Sequence, residues 1–319
     1  MNLQQLRYLH GIAEHGFNIS RAATALHTSQ PGISRQIQLL EQEIGIAILA
    51  RKGNRIVGVT EPGRAVLEVA RRMVQDAENL KRIGEDFTSK DSGRLVIATT
   101  HMHARYVLRD VIRDFIGRHP HVQLVLRQVS PAQTAQLVAT GEADIGVSGQ
   151  PPGAVSELVM LPCYELHRSV IAPRDHPLLA EKRLTLKSIA RYPIITLDQS
   201  FVGGSAVLRA FDAAGIRPNV VLSAIDADVV KTYVELGLGI AILPSIAYEP
   251  RRDTRLCAID AAKLFEPTIA CIELRHENYL RSYMLDFIQC IAPQWSRETI
   301  ADARRARDVV PRAATLPLS

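Results

Sequence analysis

The first sixty residues show helical spacing of apolar side chains, followed by two short β-prone runs. Apolar positions recur every three or four residues in 3–14, which predicts an amphipathic helix. A short helix is expected over 20–26, and a third helix over 29–43 has its own apolar stripe. Two β-prone runs then flank Gly53-Asn54, a pair typical of tight turns. Three helices followed by a hairpin predict an all-α winged helix-turn-helix over 1–60.

The third predicted helix and the hairpin contain the candidate DNA-binding residues. Outside its apolar stripe, the helix presents hydroxyl, Gln and Arg side chains, and Arg and Gln can pair with guanine and adenine in the major groove. An ordinary solvated helix face has a similar composition, but the basic hairpin, suited to contacting phosphates, favours DNA binding. The candidates are Ser29, Gln30, Pro31, Ser34, Arg35 and Gln38 on the helix, and Arg51, Lys52 and Arg55 on the hairpin.

A single long linker helix is predicted over 61–89. Pro62 falls in its first turn, where proline is tolerated, and no further proline interrupts the pattern. An apolar stripe that includes Leu67 and Val74 runs along an otherwise charged surface, and such a stripe needs a packing partner. That partner is either the chain's own N-terminal domain or the same helix of a second subunit.

Strand-like and helical segments alternate through the rest of the chain, which predicts an α/β effector domain over 90–295. One lobe is expected from about 93–163 together with 268–292, and a second from about 164–267. Two lobes joined by two crossings resemble a periplasmic-binding-protein clamp, and the strand–helix–strand order predicts parallel sheets. A polar, arginine-rich tail over 296–319 follows, with a helical start and a mobile end expected.

Polar groups cluster where the predicted strands end. In parallel sheets, ligands bind at the carboxyl ends of strands and at the N-termini of the following helices. Hydroxyl groups and helix N–H groups without a nearby carboxylate favour a small anion, although each residue alone would also serve as a helix cap. The candidates from this reasoning are Thr99, Thr100, His101, His103, Ser130, Ser148, Gly149 and Thr196.

Composition and charge narrow the class of protein. The 319 residues, 47% of them hydrophobic, suit a globular protein of two or three domains. The net charge of +5 and the cations between Arg51 and Arg55 favour a polyanionic partner. Four scattered cysteines without a CxxC pair are expected to be reduced. No apolar run is long enough to cross a membrane and no export signal is apparent, so a cytoplasmic location without a membrane partner is expected.

Several runs resemble the LysR-type transcriptional regulators. They are the Ala22-Ala23 pair, the stretch Thr28-Ser-Gln-Pro-Gly-Ile-Ser-Arg-Gln-Ile37, and Thr60-Glu-Pro-Gly63. The resemblance implies a winged helix-turn-helix that binds double-stranded promoter DNA, and a linker-helix dimer that pairs into a tetramer. It also implies a two-lobed domain that binds a small-molecule effector without a further cofactor, and RNA polymerase as a further partner.

Other segments resemble the sulfur-assimilation activators of the CysB and Cbl type within that family. They are Ala98–Tyr106, Leu158–Tyr164, Asp226–Tyr233 and Leu280–Ile288. Those relatives hold an anion or an acetylated serine with threonines on these loops. The implied effector is sulfate, adenosine phosphosulfate, acetylserine or a sulfonate, and the implied targets are genes for sulfate, cysteine or sulfonate assimilation.

The chain departs from the pattern of that branch at three positions. It keeps Thr100 but has Met102, Gly149 and Val202 where the branch tends to have hydroxyls, and Ser148 replaces them in part. Met102 and Val202 therefore join the candidate effector-binding residues. Their apolar side chains also favour the alternative that this LysR-type regulator senses an aromatic or other organic acid.

Two other classes of function are weighed against regulation by an effector. The chain has no GxSxG motif, phosphate loop or complete dinucleotide fingerprint, so it is not expected to be an enzyme. His101-Met-His103 lacks a third ligand in the sequence, so no metal site is expected. A nucleoid-type DNA-binding protein with a vestigial sensor domain is the third interpretation.

Overall fold

The protein forms two compact units. The computed structural model describes residues 1–53, 55–88, 92–149, 157–199, 201–305 and 314–315. Unit 1 comprises Met1–Thr88 with Glu277–Arg281, and unit 2 comprises Ser89–His276 with Ser282–Ser319. Residues 277–281, expected in the effector domain, therefore cluster with the linker helix. Along the described residues, no helix is both long enough and apolar enough to cross a membrane.

Unit 1 begins with three helices around one small core. The Ser29 hydroxyl caps the third helix by accepting a hydrogen bond from the Gly32 backbone N–H at 3.2 Å. That helix ends at Gly45, whose φ of +82° lies in the left-handed region that favours glycine. The elements of unit 1 are α1 (Leu3–Glu14), α2 (Ile19–Ala25), α3 (Gln30–Ile44), β1 (Leu49–Lys52), β2 (Arg55–Val59) and α4 (Glu61–Thr88).

The antiparallel hairpin β1–β2 is fastened to α3 through Glu41. One carboxylate oxygen accepts hydrogen bonds from the backbone N–H groups of Ile48 at 2.8 Å and Leu49 at 3.0 Å. The other oxygen accepts from Arg51 at 2.9 Å. Gly63 then allows α4 to start against this hairpin, because a Cβ at position 63 would lie 2.1 Å from the Ile48 carbonyl oxygen.

The linker helix α4 has two apolar faces in different environments. One face packs against the core of α1, α2 and α3, and it comprises Val66, Leu67, Ala70 and Val74. The other face is exposed and comprises Val69, Met73, Leu80 and Phe87. The apolar stripe predicted from the sequence is therefore divided. The part around Leu67 and Val74 packs within its own domain, whereas the exposed residues, four and seven positions apart, match the period of a coiled-coil seam.

Unit 2 contains two sheets flanked by helices. A π-helical turn, His103–Val107, precedes α5. The elements are β3 (Ser92–Thr99), α5 (Leu108–Arg118), β4 (His121–Gln128), α6 (Pro131–Thr140), β5 (Ile145–Gly149), β6 (Leu158–Leu166), β7 (Arg168–Pro173), α7 (Leu186–Ile189), β8 (Ile194–Leu197), α8 (Val202–Ala213), β9 (Val220–Ala224), α9 (Ala227–Glu235), β10 (Ile240–Pro244), β11 (Leu256–Asp260), β12 (Thr268–Arg275), α10 (Ser282–Ile291), α11 (Arg297–Arg305) and β13 (Ala314–Thr315).

The two sheets are mixed, so the prediction of parallel sheets was only partly right. In the six-stranded sheet, of order β13-β6-β12-β5-β3-β4, β3 runs parallel to β4 and β5, but β12 is antiparallel to β5 and β6. In the five-stranded sheet, of order β11-β7-β10-β8-β9, β8 runs parallel to β9 and β10, but β7 is antiparallel to its neighbours. The exceptions are β7 and β12, which the chain enters directly from a strand of the other sheet. Neither strand is preceded by a helical crossover, the connection that makes consecutive strands of one sheet parallel.

Two strands and the C-terminal helix complete unit 2. The sequence did not predict β6 or β11, because Pro162 interrupts the first and the second is short and only partly apolar. The tail begins with the expected helix, α11, whose Ile300 and Ala303 are buried against the domain. The predicted mobile end, 316–319, lies outside the described residues.

The Glu41 fastening leads to a stability prediction. Replacing Glu41 by Ala leaves two backbone N–H groups and Arg51 without their acceptor, which should lower the free energy of unfolding by about 1–3 kcal/mol. Urea denaturation followed by circular dichroism measures the change. Gln42→Ala, at an exposed position on the same helix, is the control and should stay near the native value. An equal loss in both variants would contradict a special role for Glu41.

Candidate functional site

The polar face of α3 is accessible in unit 1. Ser29, Gln30, Pro31, Arg35 and Gln38 are exposed, and Ser34 is half-buried. The opposite side of the helix is held by the buried Ile33, Ile37 and Leu40. The helix therefore has one face fixed in the core and one face available to enter a groove, which is the arrangement of a recognition helix.

Not all of the predicted DNA-binding side chains are equally free. The Gln30 side chain accepts a hydrogen bond from the Ser20 hydroxyl at 3.1 Å, which ties α3 to α2. Arg51 is paired with Glu41, so its charge is largely balanced within the domain. For Lys52 and Arg55, both exposed on the hairpin, the described residues contain no ion pair. These two cations are the best placed of the hairpin to contact phosphates.

The second candidate site is a pocket in unit 2 with a cavity volume of about 40 Å³. The ends of β3, β5 and β8 and the starts of β7 and β12 meet around it. Its lining is Thr100, Met102, His103, Pro131, Gly149, Leu166, Arg168, Leu197, Phe201, Gly203, Ile225, Pro244 and Thr268. Thr100, Met102, His103 and Gly149 were among the predicted effector residues, so the pocket brings these four together.

Thr100 and His103 form a buried polar pair on one wall of the pocket. The Thr100 hydroxyl lies 2.7 Å from Nδ1 of His103, and both side chains are buried. Burial lowers the pKa of His103 to about 4, so its imidazole is neutral at pH 7. The other ring nitrogen, Nε2, has no hydrogen-bond partner among the described residues. A buried polar atom without a partner is costly, and the residue that carries this one is part of the lining of the pocket.

Arg168 supplies a positive charge that the sequence analysis missed. It is the first residue of β7 and only 1% exposed. Its guanidinium donates to the Thr268 hydroxyl at 3.1 Å and to the Leu166 carbonyl oxygen at 3.4 Å, and both acceptors are neutral. Burial lowers the pKa of Arg168 to about 10, which still leaves it protonated at pH 7. The available signal was an arginine at the start of an otherwise apolar strand, His167-Arg-Ser-Val-Ile171.

The N-terminus of α8 lies beside this guanidinium. A Cβ built on Gly203 would be 3.0 Å from Nη2 of Arg168, so the missing side chain allows the close approach. Phe201 occupies the N-cap position and makes no side-chain hydrogen bond to the first turn. The partial positive charge of a helix N-terminus and a full positive charge therefore face the same pocket. Val202 is the first residue of α8, between two lining residues.

Five other predicted effector residues do not line the pocket. The hydroxyl of Thr99 donates to the Val147 carbonyl oxygen at 2.6 Å, so it bonds within the sheet. Ser130 forms a capping box at the start of α6. Thr196 is buried in β8 next to the lining residue Leu197, and its hydroxyl has no partner among the described residues. The remaining two, Ser148 and His101, contact carboxylates.

The expectation that no carboxylate lies near these groups was wrong at those two residues. Ser148 donates to Glu273 at 2.5 Å, and burial raises the pKa of Glu273 to about 7. β12, which was expected in this lobe, carries that carboxylate next to β5. His101 lies 3.2 Å from Asp226 and 3.3 Å from Asp228. These three side chains could hold a metal ion, but Arg105 and Lys231 already pair with Asp228, which disfavours a second cation.

Two family models match the chain, and together they cover most of it. Residues 3–64 match the model described as bacterial regulatory helix-turn-helix protein, lysR family. Residues 88–296 match the LysR substrate binding domain. The first match contains α3 with its exposed polar face, and the second contains the pocket.

Individual relatives agree with these models. The chain is 48% identical to the HTH-type transcriptional regulator SsuR of Burkholderia cenocepacia, over 96% of this chain and 99% of the relative. It is 43% identical to CysB of the same organism, over 95% and 97%. These relatives are named as regulators, in agreement with the expectation that the chain is not an enzyme.

Solved structures support the same assignment. The cofactor-binding domain of the Cbl transcriptional regulator matches with a TM-score of 0.64 and 38% identity, over 66% of this chain and 92% of that one. A full-length OxyR variant from Pseudomonas aeruginosa matches with a TM-score of 0.66 over 91% and 97%, and at 20% identity it bears on the fold alone. The prediction of a winged helix-turn-helix, a linker helix and a two-lobed effector domain is thereby confirmed. The chain belongs to the LysR family of transcriptional regulators, in the branch that includes CysB and Cbl.

Proposed function

We propose that this LysR-type regulator controls sulfur-assimilation genes in response to a small sulfur-linked anion bound in the pocket of unit 2. The observation that carries the proposal is the presence of Thr100, His103 and Arg168 in the lining of this pocket. Hydroxyl, imidazole and guanidinium groups face a space without an acidic side chain in its described lining, which suits an anion. The names of the relatives suggest the link to sulfur regulation. The three polar side chains of the lining are the reason to expect a negatively charged ligand.

The DNA-binding half of the proposal assigns base recognition to α3 and phosphate contacts to the hairpin. Arg35 and Gln38 are exposed on α3 and can each form two hydrogen bonds with a base edge. Lys52 and Arg55 would contact phosphates, which positions the protein without selecting a sequence. Promoter DNA is the proposed binding partner of this surface, and RNA polymerase is a proposed further partner.

Substitutions on the two elements should have different effects on DNA binding. Arg35→Ala or Gln38→Ala should cost about 1–3 kcal/mol of specific binding and relax base preference. Lys52→Ala should weaken binding to all sequences and reduce its salt dependence. A binding site selected from a random DNA pool, followed by gel shifts at several salt concentrations, measures both. Gln123→Ala, at an exposed position in unit 2, is the control. Unchanged specificity in Arg35→Ala and Gln38→Ala together would refute the assignment of the recognition helix.

The exposed face of α4 is proposed as the dimer seam. Leu67 and Val74, which the sequence analysis grouped with the seam, pack in their own domain and are poor probes of dimerisation. Met73 and Leu80 are 42% and 70% exposed and lie seven residues apart, so they are better probes. A second contact through the effector domains would then produce the proposed tetramer.

Charge placed in this seam should separate the subunits. Met73→Glu combined with Leu80→Glu would bury two carboxylates and raise the dissociation constant of the dimer roughly 100-fold or more. Sedimentation velocity over a range of concentrations detects the change. Arg72→Glu alters the net charge by the same amount at an adjacent exposed position and should leave the assembly intact. A double variant that sediments like the native protein would eliminate this seam.

Loss of the Thr100 hydroxyl should weaken effector binding. Thr100→Val keeps the shape of the side chain but removes a ligand partner and the group that bonds His103, so affinity should fall by about 1–3 kcal/mol. Calorimetry on the full chain with sulfate, adenosine phosphosulfate, acetylserine and alkanesulfonates measures it. Thr254→Val, in an exposed turn, is the matched control. Equal affinities in the two variants would exclude Thr100 from the site.

A second candidate function is a LysR-type regulator that senses an aromatic or other organic carboxylic acid. The observation in its favour is the apolar part of the lining, which includes Met102 and Phe201. Benzoate and hexanoate, added to the same calorimetric panel, separate the two candidates. Binding of a carboxylate together with no binding of any sulfur anion would replace the sulfur proposal and leave the regulatory function in place.

A further inference from the structure

We propose that Arg168 is the charge-selecting residue of the pocket, and that the effector is an organic sulfonate with one negative charge and an apolar substituent. This inference rests on the proposed function and narrows its ligand class. It is carried by three features of the lining of the pocket: one buried cation, two neutral polar side chains, and several apolar side chains.

Arg168 carries a positive charge and is almost completely buried. Within the described residues it forms no ion pair with an acidic side chain, and its two hydrogen bonds go to a hydroxyl and a carbonyl group. An isolated buried charge is expensive, and proteins normally pair such a group or give it a ligand. The N-terminus of α8, packed at Gly203, adds further positive potential at the same place. An anion bound there would compensate both.

The charge of that anion follows from the lining. Arg168 is the one Lys or Arg side chain among the described lining residues, and His103 is neutral. One full positive charge balances one negative charge. Inorganic sulfate would bring two negative charges, and the second would lack a cationic partner among the described lining residues. A monoanion therefore fits the pocket better than a dianion.

The shape of the head group follows from the directions of the donors. Arg168, the Thr100–His103 pair and the first turn of α8 approach the pocket from different elements. A sulfonate has three equivalent oxygens, one for each of these directions, whereas a carboxylate has two oxygens in a plane. Nε2 of His103, buried and unpartnered among the described residues, is available to complete this set.

The apolar part of the lining determines which substituent the sulfonate group carries. Met102, Leu166, Leu197, Phe201 and Ile225 contribute apolar side chains to the lining of the pocket. A bare sulfate would leave this surface in contact with water or empty, whereas an alkyl or aryl group would cover it. Ile225 is 69% exposed and therefore marks the mouth, toward which the substituent would extend.

Calorimetry on the full-length protein tests this inference. The ligands are sulfate, methanesulfonate, propanesulfonate, pentanesulfonate and hexanoate. We expect affinity to rise along the sulfonate series, and pentanesulfonate to bind roughly tenfold or more tightly than sulfate. Arg168→Gln should lower the affinity for pentanesulfonate by about 30-fold or more, and Arg168→Lys, which keeps the charge but loses the fork, should fall between.

A second pair of variants decides the question if Arg168→Gln does not fold. Ile225→Glu places a negative charge at the mouth, and Ile225→Gln is its neutral control of similar size. Because position 225 is exposed, both variants should fold. Ile225→Glu should weaken pentanesulfonate severalfold relative to Ile225→Gln, through repulsion of the bound anion.

The outcomes separate this inference from the function on which it rests. Sulfate binding as tightly as pentanesulfonate, or a native affinity that Arg168→Gln leaves unchanged, would overturn the inference while regulation by a sulfur anion stands. Hexanoate binding more tightly than every sulfur anion would overturn both the sulfonate head group and the sulfur effector. No binding of any of these ligands would also refute both.

Discussion

The buried guanidinium of Arg168 is the constraint around which the effector domain is arranged. It lies where the chain passes from β6 into β7, and it bonds both to Leu166 at that passage and to Thr268, where the chain returns into β12. One side chain thus links the two crossings between the lobes. The proposed binding of an anion at this point would change the electrostatic balance where the two lobes are joined.

The functional polar groups of unit 1 and unit 2 differ in their exposure to solvent. In unit 1 the polar residues of α3 are exposed, and Glu41 holds the neighbouring hairpin in place. In unit 2 the polar residues of the pocket are buried, and some of their atoms have no partner among the described residues. An exposed face suits a large partner such as a DNA groove. Buried donors suit a small ligand that replaces water completely.

Much of the fold could be predicted from the sequence, whereas only part of the pocket could. Helical periodicity and caps such as Ser29 are local signals, so α1, α3 and α4 appear at nearly their predicted positions. Thr100 follows a buried strand, which also marks it locally. Arg168 was missed because nothing in the sequence shows that the start of β7 is enclosed by β6 and β12. The antiparallel pairing of β7 and β12 depends on contacts between segments that are distant in the sequence. The periodicity of apolar residues gives no information about such contacts.

The position of β12 affects how the chain folds as it is synthesised. β12 lies between β5 and β6 in the six-stranded sheet, but it follows the whole five-stranded sheet in the sequence. The second lobe is built from one continuous segment and can therefore fold as soon as it leaves the ribosome. Until Thr268–Arg275 emerges, β5 and β6 have unpaired backbone edges, which are templates for aggregation. The first lobe to be translated is thus the last to be completed. The nascent protein is most prone to aggregation while the sheet of this lobe is half-formed.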